Sequence, residues 1–418
     1  MAKNASYVIL PPLVKSSLID NLSSIAIEED GTWNFEGSDT QYSTHCVHTY
    51  LAAMIPQLAR RLIEAYVPPG GSVMDPFCGG GAVLVESILA NRVAIGDDIN
   101  DLAVLISKAK TTYINDKRIK DTGKQILEIA KNYSGPELKF EKSTYVDYWF
   151  KPYMFLPLTA LKTAIDDLPK GSIKTLFKVL FSATVRNVSL TYRNEIRLRR
   201  MKKEEREKFN PDVFQKFEEK LGEAAERISS LPKGSKANVK KMDIKKLQLT
   251  RYKDIADAII CSPPYGDERN GVPYTQFAKN MLYWLGFTKK QIHQAKNESL
   301  GWDKKNNVIP YSATLIESLD KISNYPPSVT EAVNFYADYY EALKGMANAT
   351  RDRIIIVIGQ RVLQNTVFDN GKITAELMAN IGITLERVFG RLLPSKRLPK
   401  MREYGAAINR ETILVFKK

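Results

Sequence analysis

The run from Ser72 to Ala90 constrains the fold more than any other. Ser72-Val73-Met74 is a short apolar strand signal. Asp75-Pro76-Phe77-Cys78-Gly79-Gly80-Gly81 follows as a glycine loop, and residues 82–90 then carry apolar side chains at helical spacing. A strand that turns through glycines directly into a helix is the ligand-cradling unit of open α/β sheets. Glycine lets the backbone approach a ligand closely and adopt positive φ. The helix N-terminus beyond it offers N–H groups to a carboxylate or phosphate. Val93-Ala94-Ile95-Gly96-Asp97-Asp98 reads as a second strand. Asp98 closes it roughly 20 residues past the loop, the spacing at which such folds hold a ribose diol.

A second landmark lies far downstream. Residues 255–261 form an apolar run that reads as a buried strand, and Ser262-Pro263-Pro264-Tyr265 ends it abruptly. A rigid turn at the C-terminal end of a strand is where open α/β sheets place their chemistry. Two prolines donate no N–H, so their carbonyls stay free to accept. A hydroxyl and a carbonyl facing a planar amine, with a ring beneath it, suit the exocyclic NH2 of a nucleobase. Alone, the tetrapeptide reads equally well as a proline turn after a strand. Beside the glycine loop and Asp98 it reads as a transfer site.

Composition narrows the partners. The 418 residues carry a formal net charge of +14, which favours a polyanionic partner over a neutral one. A merely basic soluble enzyme is the plain alternative. No signal-peptide pattern is visible and no apolar run approaches the roughly 18 residues of a membrane span, so a cytoplasmic location without membrane contact is expected. Three cysteines (Cys46, Cys78, Cys261) and three histidines stand at no zinc-binding spacing, so neither a disulfide framework nor a metal is expected.

Along the chain, residues 1–45 read as an N-terminal extension in which 31–35 is the best-ordered part. Residues 48–66 read as an amphipathic helix. From 111 to 240 the pattern turns helical and charged, with aromatics at Tyr148, Trp149 and Tyr153 and a buried helix over 174–188. The densest basic stretch holds Arg193, Arg197, Arg199 and Arg200. Arginine forks suit phosphates and guanine edges. A solvated helix face paired with Glu204, Glu205 and Glu207 is the alternative. Asp243 precedes a further strand. Residues 286–330 read as irregular and polar. A helix over 335–347, a strand over 353–359, a helix over 373–381 and two strands over 383–393 and 411–416 complete the pattern. The loops 266–274 and 396–402 are rich in turn or basic residues.

Together these motifs resemble the amino-methylating DNA methyltransferases, which modify N4 of cytosine or N6 of adenine. That family carries an Asp-Pro-Phe-x-Gly-x-Gly loop and a Ser/Asn/Asp-Pro-Pro-Tyr/Phe turn. The resemblance starts near Thr44, where His48 and residues 55–63 are similar to the helix before the first strand. It resumes from about Lys241 to the end, and 111–240 match no family motif. Gly81 stands where many relatives have Thr. Asp75 and Ser262 are 262 − 75 = 187 residues apart, more than two strands and two helices need. The resemblance therefore implies an α/β, Rossmann-like class I methyltransferase sheet, mostly parallel with an antiparallel C-terminal strand. A catalytic domain of 46–110 and 241–418 is interrupted by a helical insertion, 111–240, for DNA target recognition.

The resemblance also implies roles. S-adenosylmethionine is the expected cofactor. Asp75, Pro76, Phe77, Cys78, Gly79 and Gly81 shape its loop, Asp98 holds its ribose hydroxyls and Asp243 takes the adenine amino group. Ser262, Pro263, Pro264 and Tyr265 are the expected catalytic set. Ser262 Oγ and the Pro263 carbonyl accept the amine hydrogens, and Tyr265 stacks on a base flipped out of double-stranded DNA, for an in-line attack on the sulfonium methyl. The C5-cytosine enzymes use a Pro-Cys dipeptide that this chain lacks, so Cys78 and Cys261 read as small buried residues. Serine at the first position resembles the N4-cytosine branch, and Asp or Asn the N6-adenine branch. Cytosine N4 is thus the expectation and adenine N6 the alternative. Further off stand an RNA base methyltransferase, a protein glutamine methyltransferase and a non-catalytic DNA-binding relative. The layout admits a cognate restriction endonuclease as a second partner, and no residue pattern fixes an oligomeric state.

Overall fold

The structure is a computed structural model that describes residues 7–11, 26–192, 198–266, 273–302, 308–393 and 410–418. Eight strands build its main sheet: β1 (Ile27–Glu29), β2 (Ser72–Asp75), β3 (Val93–Asp98), β4 (Asn238–Lys241), β5 (Ala256–Cys261), β6 (Thr350–Gly359), β7 (Thr384–Leu392) and β8 (Arg410–Lys417). They lie in the order β1–β7–β8–β6–β5–β2–β3–β4. β8 runs antiparallel to both neighbours, and every other pairing is parallel. The fold is the expected Rossmann-like class I methyltransferase sheet, with β1 added at one edge.

The chain winds outward from β2 through β3 to β4, then returns to β5 on the other side of β2 and winds outward again. The adjacent C-terminal ends of β2 and β5 are therefore a topological switch point, where such sheets open a crevice. Both strands are sheltered on two faces, and their sequences are correspondingly continuous in apolar residues. In β6, Ile354, Ile356 and Ile358 enter one core with the helices Pro326–Ala349 and Asn370–Asn380. Ile355 and Val357 point the other way, into a core with the helix Pro56–Tyr66. This alternation is the period of two that a strand imposes.

A third core belongs to the helical body. The helices Asp101–Thr111, Asp116–Lys131, Phe155–Asp166, Ser172–Val188 and Val213–Ser229 pack with the helix Tyr274–Trp284. Trp284 is fully buried there, with the rings of Phe140, Phe150, Phe155 and Phe181 around it. The helices between the two motifs thus share one interior with the helix that follows the second motif. β4 begins at Asn238, so residues 238–240 lie in the sheet.

Two local expectations are corrected. The first helix starts at Pro56 rather than near His48, because proline at the first helical position ends the extended backbone of Ile55. Residues 43–47 form a 3-10 turn instead. Residues 286–330 are not irregular: they hold the helices Lys289–Asn297 and Ala313–Lys321 and the start of Pro326–Ala349. Thr288 and Ser312 cap the first two with side-chain hydrogen bonds, a signal that was present in the sequence. No described helix is long and apolar enough to cross a membrane.

Candidate active site

β2 delivers Asp75 to the C-terminal edge of the sheet, where its Oδ1 accepts from the Phe77 N–H at 3.0 Å and closes the turn at Pro76. Gly79 and Gly81 both sit at positive φ, 47° and 80°. Gly79 is held from two sides. Its N–H donates to Asp98 Oδ2 at 2.9 Å, and its carbonyl accepts from Ser107 Oγ at 2.9 Å. Asp98 Oδ1 accepts from the Asn100 N–H at 2.8 Å, so one carboxylate ties the glycine loop to the end of β3. A Cβ on Gly81 would lie 2.9 Å from Ser107 Oγ, which explains a glycine where a larger residue would push the helices apart. Gly81 caps Ala82–Leu89 without a side-chain bond, leaving the helix N–H groups without that partner.

β5 delivers the second rim. Ser262 is half-buried and Pro263 buried; Cys261 just before them is fully buried, and burial pushes its thiol well up, as it does for Cys78. The Tyr265 hydroxyl donates to Glu411 Oε1 at 2.8 Å and lies 3.3 Å from Ser262 Oγ. Asn370 Nδ2 donates to the Tyr265 carbonyl at 3.2 Å and to the Gly359 carbonyl at 2.9 Å. Tyr336 in turn donates to Asn370 Oδ1 at 2.7 Å. Burial and Glu411 raise the Tyr265 phenol well above its ordinary range, so it stays a neutral donor.

The two rims face one cleft of about 1110 Å³, counting the solvent at its mouth. Asp75, Pro76, Phe77, Cys78 and Gly79 line one side, with Asp98 and Asp243 beside them and Ser262 and Pro264 opposite. Gly81, Pro263 and Tyr265 stand behind this lining. Asp243 caps the 3-10 turn Ile244–Gln248, its Oδ1 accepting from the Lys245 N–H at 3.0 Å. Burial drives the acids upward: Asp75 to about 8, against the Phe77 N–H, and Asp98 to about 6, against the N–H groups of Asn100 and Gly79.

Sequence reasoning missed part of the wall. Tyr50 packs so closely on the loop that a Cβ on Gly80 would lie 2.8 Å from Tyr50 Cβ. Its ring is 6.1 Å from that of Tyr274, also in the wall. Tyr50 fell inside the stretch read as helix, and no local pattern links it to Tyr274. Asn100 also lines the cleft and caps Asp101–Thr111, a cap its place before a helical run announces.

Of the basic stretch, Arg199 and Arg200 are described, and neither lines the cleft. Arg200 stacks 3.9 Å above the Tyr148 ring, and Arg199 4.4 Å above Tyr192. Tyr148 is 49% exposed under Arg200, and Tyr145, three residues before it, is 67% exposed. Arg193 and Arg197 lie outside the described residues.

A DNA methylase family model matches residues 26–109. The chain is 30% identical over 438 aligned residues to the type II methyltransferase M.MvaI of Kocuria varians, covering 96% of each chain. It is 28% identical over 116 residues to the type II methyltransferase M.MjaII of Methanocaldococcus jannaschii, covering 27% of this chain and 22% of that one. Among solved structures, an rRNA methyltransferase of Streptomyces viridochromogenes superposes with a TM-score of 0.32 at 11% identity, covering 91% of this chain and 94% of that one. The chain belongs to the amino-methylating DNA methyltransferases of the restriction–modification type. It is a DNA-modifying enzyme of type II with an N4/N6 amino-methyltransferase domain.

Proposed function

We propose that the protein methylates N4 of a cytosine flipped out of duplex DNA, with S-adenosylmethionine as donor. The observation that carries this reading is one cleft with Ser262 on one rim and the acids Asp75 and Asp98 on the other. The donor set fits the cofactor. Asp75 and Asp98 answer cationic groups and a ribose, and the uncapped start of Ala82–Leu89 answers a carboxylate. When bound, S-adenosylmethionine supplies a methyl group on a positively charged sulfur, so the amine needs orientation and no covalent bond to the enzyme.

Orientation falls to the Ser-Pro-Pro-Tyr turn. An exocyclic amine is a weak nucleophile because its lone pair is delocalised into the ring. Ser262 Oγ accepts one of its hydrogens, which localises the lone pair and aims it across the cleft, whereas the Pro263 carbonyl expected beside it belongs to a residue behind the lining. A base inside a duplex does not reach that depth, so it is extruded first. Serine rather than Asp at position 262 supports cytosine. The helical region 111–240 is the DNA-recognition part of the same reading, with Arg193, Arg197, Arg199 and Arg200 toward the polyanion. A cognate restriction endonuclease is its functional partner, in keeping with the type II relatives.

Mass analysis of nucleosides from duplex DNA incubated with the protein and S-adenosylmethionine is expected to give N4-methylcytosine. N6-methyladenine alone would overturn the base assignment and keep the class. Methylated tRNA with unmodified DNA would overturn the substrate.

A further inference from the structure

Glu411 is the second residue of β8, 146 residues beyond Tyr265 in sequence, and takes its hydroxyl hydrogen bond at 2.8 Å. The second carboxylate oxygen lies 3.5 Å from Nη1 of Arg391, whose side chain is buried. Sheet register fixes both residues, since Arg391 pairs with Glu411 across β7 and β8, and Glu411 pairs with Gly359 across β8 and β6. The carboxylate is therefore enclosed between a cation and a phenol, at the same end of the sheet as Ser262.

This enclosure gives the hydrogen bonds a direction. Tyr265 has one hydroxyl hydrogen. It goes to the carboxylate, the stronger and closer acceptor, at 2.8 Å against 3.3 Å for Ser262 Oγ. The Tyr265 oxygen is left to accept, and the partner in reach is the Ser262 hydroxyl. Ser262 then spends its one hydrogen on Tyr265 and turns its lone pairs to the cleft. Without an acceptor at position 411, the phenol hydrogen is free to turn onto Ser262 Oγ and fill the lone pair that an incoming amine needs.

We propose that Glu411 is a positioning residue that acts through Tyr265 to keep Ser262 Oγ a hydrogen-bond acceptor. The proposal rests on the reading that Ser262 accepts from the target amine. It does not require Glu411 to touch the base, the cofactor or the transferred group.

Glu411→Gln is the sharp test, because it keeps the shape and reverses the direction. Arg391 draws the amide oxygen, so the amide NH2 faces the Tyr265 oxygen and drives the phenol hydrogen toward Ser262. The expected result is a fall in kcat of about ten-fold, the size of one misdirected hydrogen bond, with KM for DNA and S-adenosylmethionine binding unchanged. Adding Tyr265→Phe removes the misdirected hydrogen, so the double variant recovers to the level of Tyr265→Phe alone. A merely structural Glu411 gives losses that multiply instead. Wild-type kcat in Glu411→Gln, multiplying losses, or loss of cofactor binding in Glu411→Gln each overturns the proposal. Ser262→Ala separates it from the reading beneath it. Full activity in Ser262→Ala removes both, whereas inactive Ser262→Ala with normal Glu411→Gln removes the Glu411 role alone.

Discussion

The two rims of the cleft are held by different means. The glycine-loop rim is supported from nearby in sequence: Asp75 grips Phe77 two residues on, and Asp98 grips Asn100 two residues on and Gly79 nineteen residues back. The Ser-Pro-Pro-Tyr rim is supported from afar: Tyr265 is fixed by Glu411 146 residues on and by Asn370 105 residues on. The first rim carries its own scaffold in one strand–loop–helix unit. The second takes its shape only when β8 and the helix Asn370–Asn380 have docked. Cofactor binding should therefore respond to local changes, and turnover to distant ones as well.

The largest effect should fall on the first rim. Asp98→Ala removes the acceptor of two backbone N–H groups, each charge-assisted. At about 1.5–3 kcal/mol per bond the loss of S-adenosylmethionine affinity should reach about 100-fold or more by calorimetry. Asp98→Asn keeps one acceptor and should lose less. Near-wild-type affinity in the alanine variant would mean that the glycine loop keeps its shape without Asp98, and the contrast between the rims would fail on its better-supported side.

Next in size is Ser262→Ala. It should lower kcat by about 100-fold while leaving cofactor affinity in place, as expected for one transition-state acceptor lost. The pair of variants divides binding from turnover along the line between the rims. If Ser262→Ala loses cofactor affinity as severely as Asp98→Ala, the two rims are one structural unit.

The same contrast explains what the sequence disclosed. The glycine loop, Asp98 and the Ser-Pro-Pro-Tyr turn were legible because each is a fixed run of residue types, or a fixed spacing, at the end of an apolar strand. The strands β2, β3, β5, β6, β7 and β8 were legible as apolar or alternating runs, whereas β1 and β4, short, polar and largely exposed, were not. Tyr50, Glu411 and Asn370 were not legible. Each acts across a contact that only the folded sheet creates, and a lone Tyr, Glu or Asn in a strand or loop carries no spacing signal. The helix start at Pro56 and the caps at Thr288 and Ser312 were written in the sequence but outweighed by coarser amphipathic and polarity patterns.

The third effect is electrostatic and confined to the first rim. Asp75 is pushed up to about 8 and Asp98 to about 6, so in the free protein near pH 6 Asp75 holds its proton and Asp98 is about half protonated. A cationic ligand favours their charged forms. Binding of S-adenosylmethionine should release protons to the buffer and tighten between pH 6 and 8, by at most about ten-fold per pH unit for each proton released. Because the folded values lie above the unfolded ones, both acids also favour the folded state most at low pH, and that contribution is lost as pH rises through about 6 and then 8. Thermal unfolding without ligand, compared with Asp75→Asn, checks the sign. Turnover in single-turnover mode at saturating cofactor should not follow this profile if the acids serve the first rim only.

The smallest effect should lie outside both rims. Arg200 stacks on Tyr148, and its Nε is buried with no hydrogen-bond partner among the described residues. The ring holds the guanidinium flat, so its remaining donors project as a fixed fork, the geometry that suits phosphate. Arg199 lies over Tyr192, whose hydroxyl is bound to Glu205, so an acid sits within the same group and dilutes the positive field. Arg200→Ala should therefore weaken DNA binding more than Arg199→Ala, only several-fold and equally for all sequences. The slope of log K against log salt should fall by about one unit, the signature of one phosphate contact. Cofactor affinity should stay unchanged in both variants. A loss of about 1–3 kcal/mol confined to one base pair would instead make Arg200 a base reader in the major groove. An unchanged salt slope would move the DNA contact away from this face of the helical body and toward the loops 266–274 and 396–402, which follow the second rim in the chain.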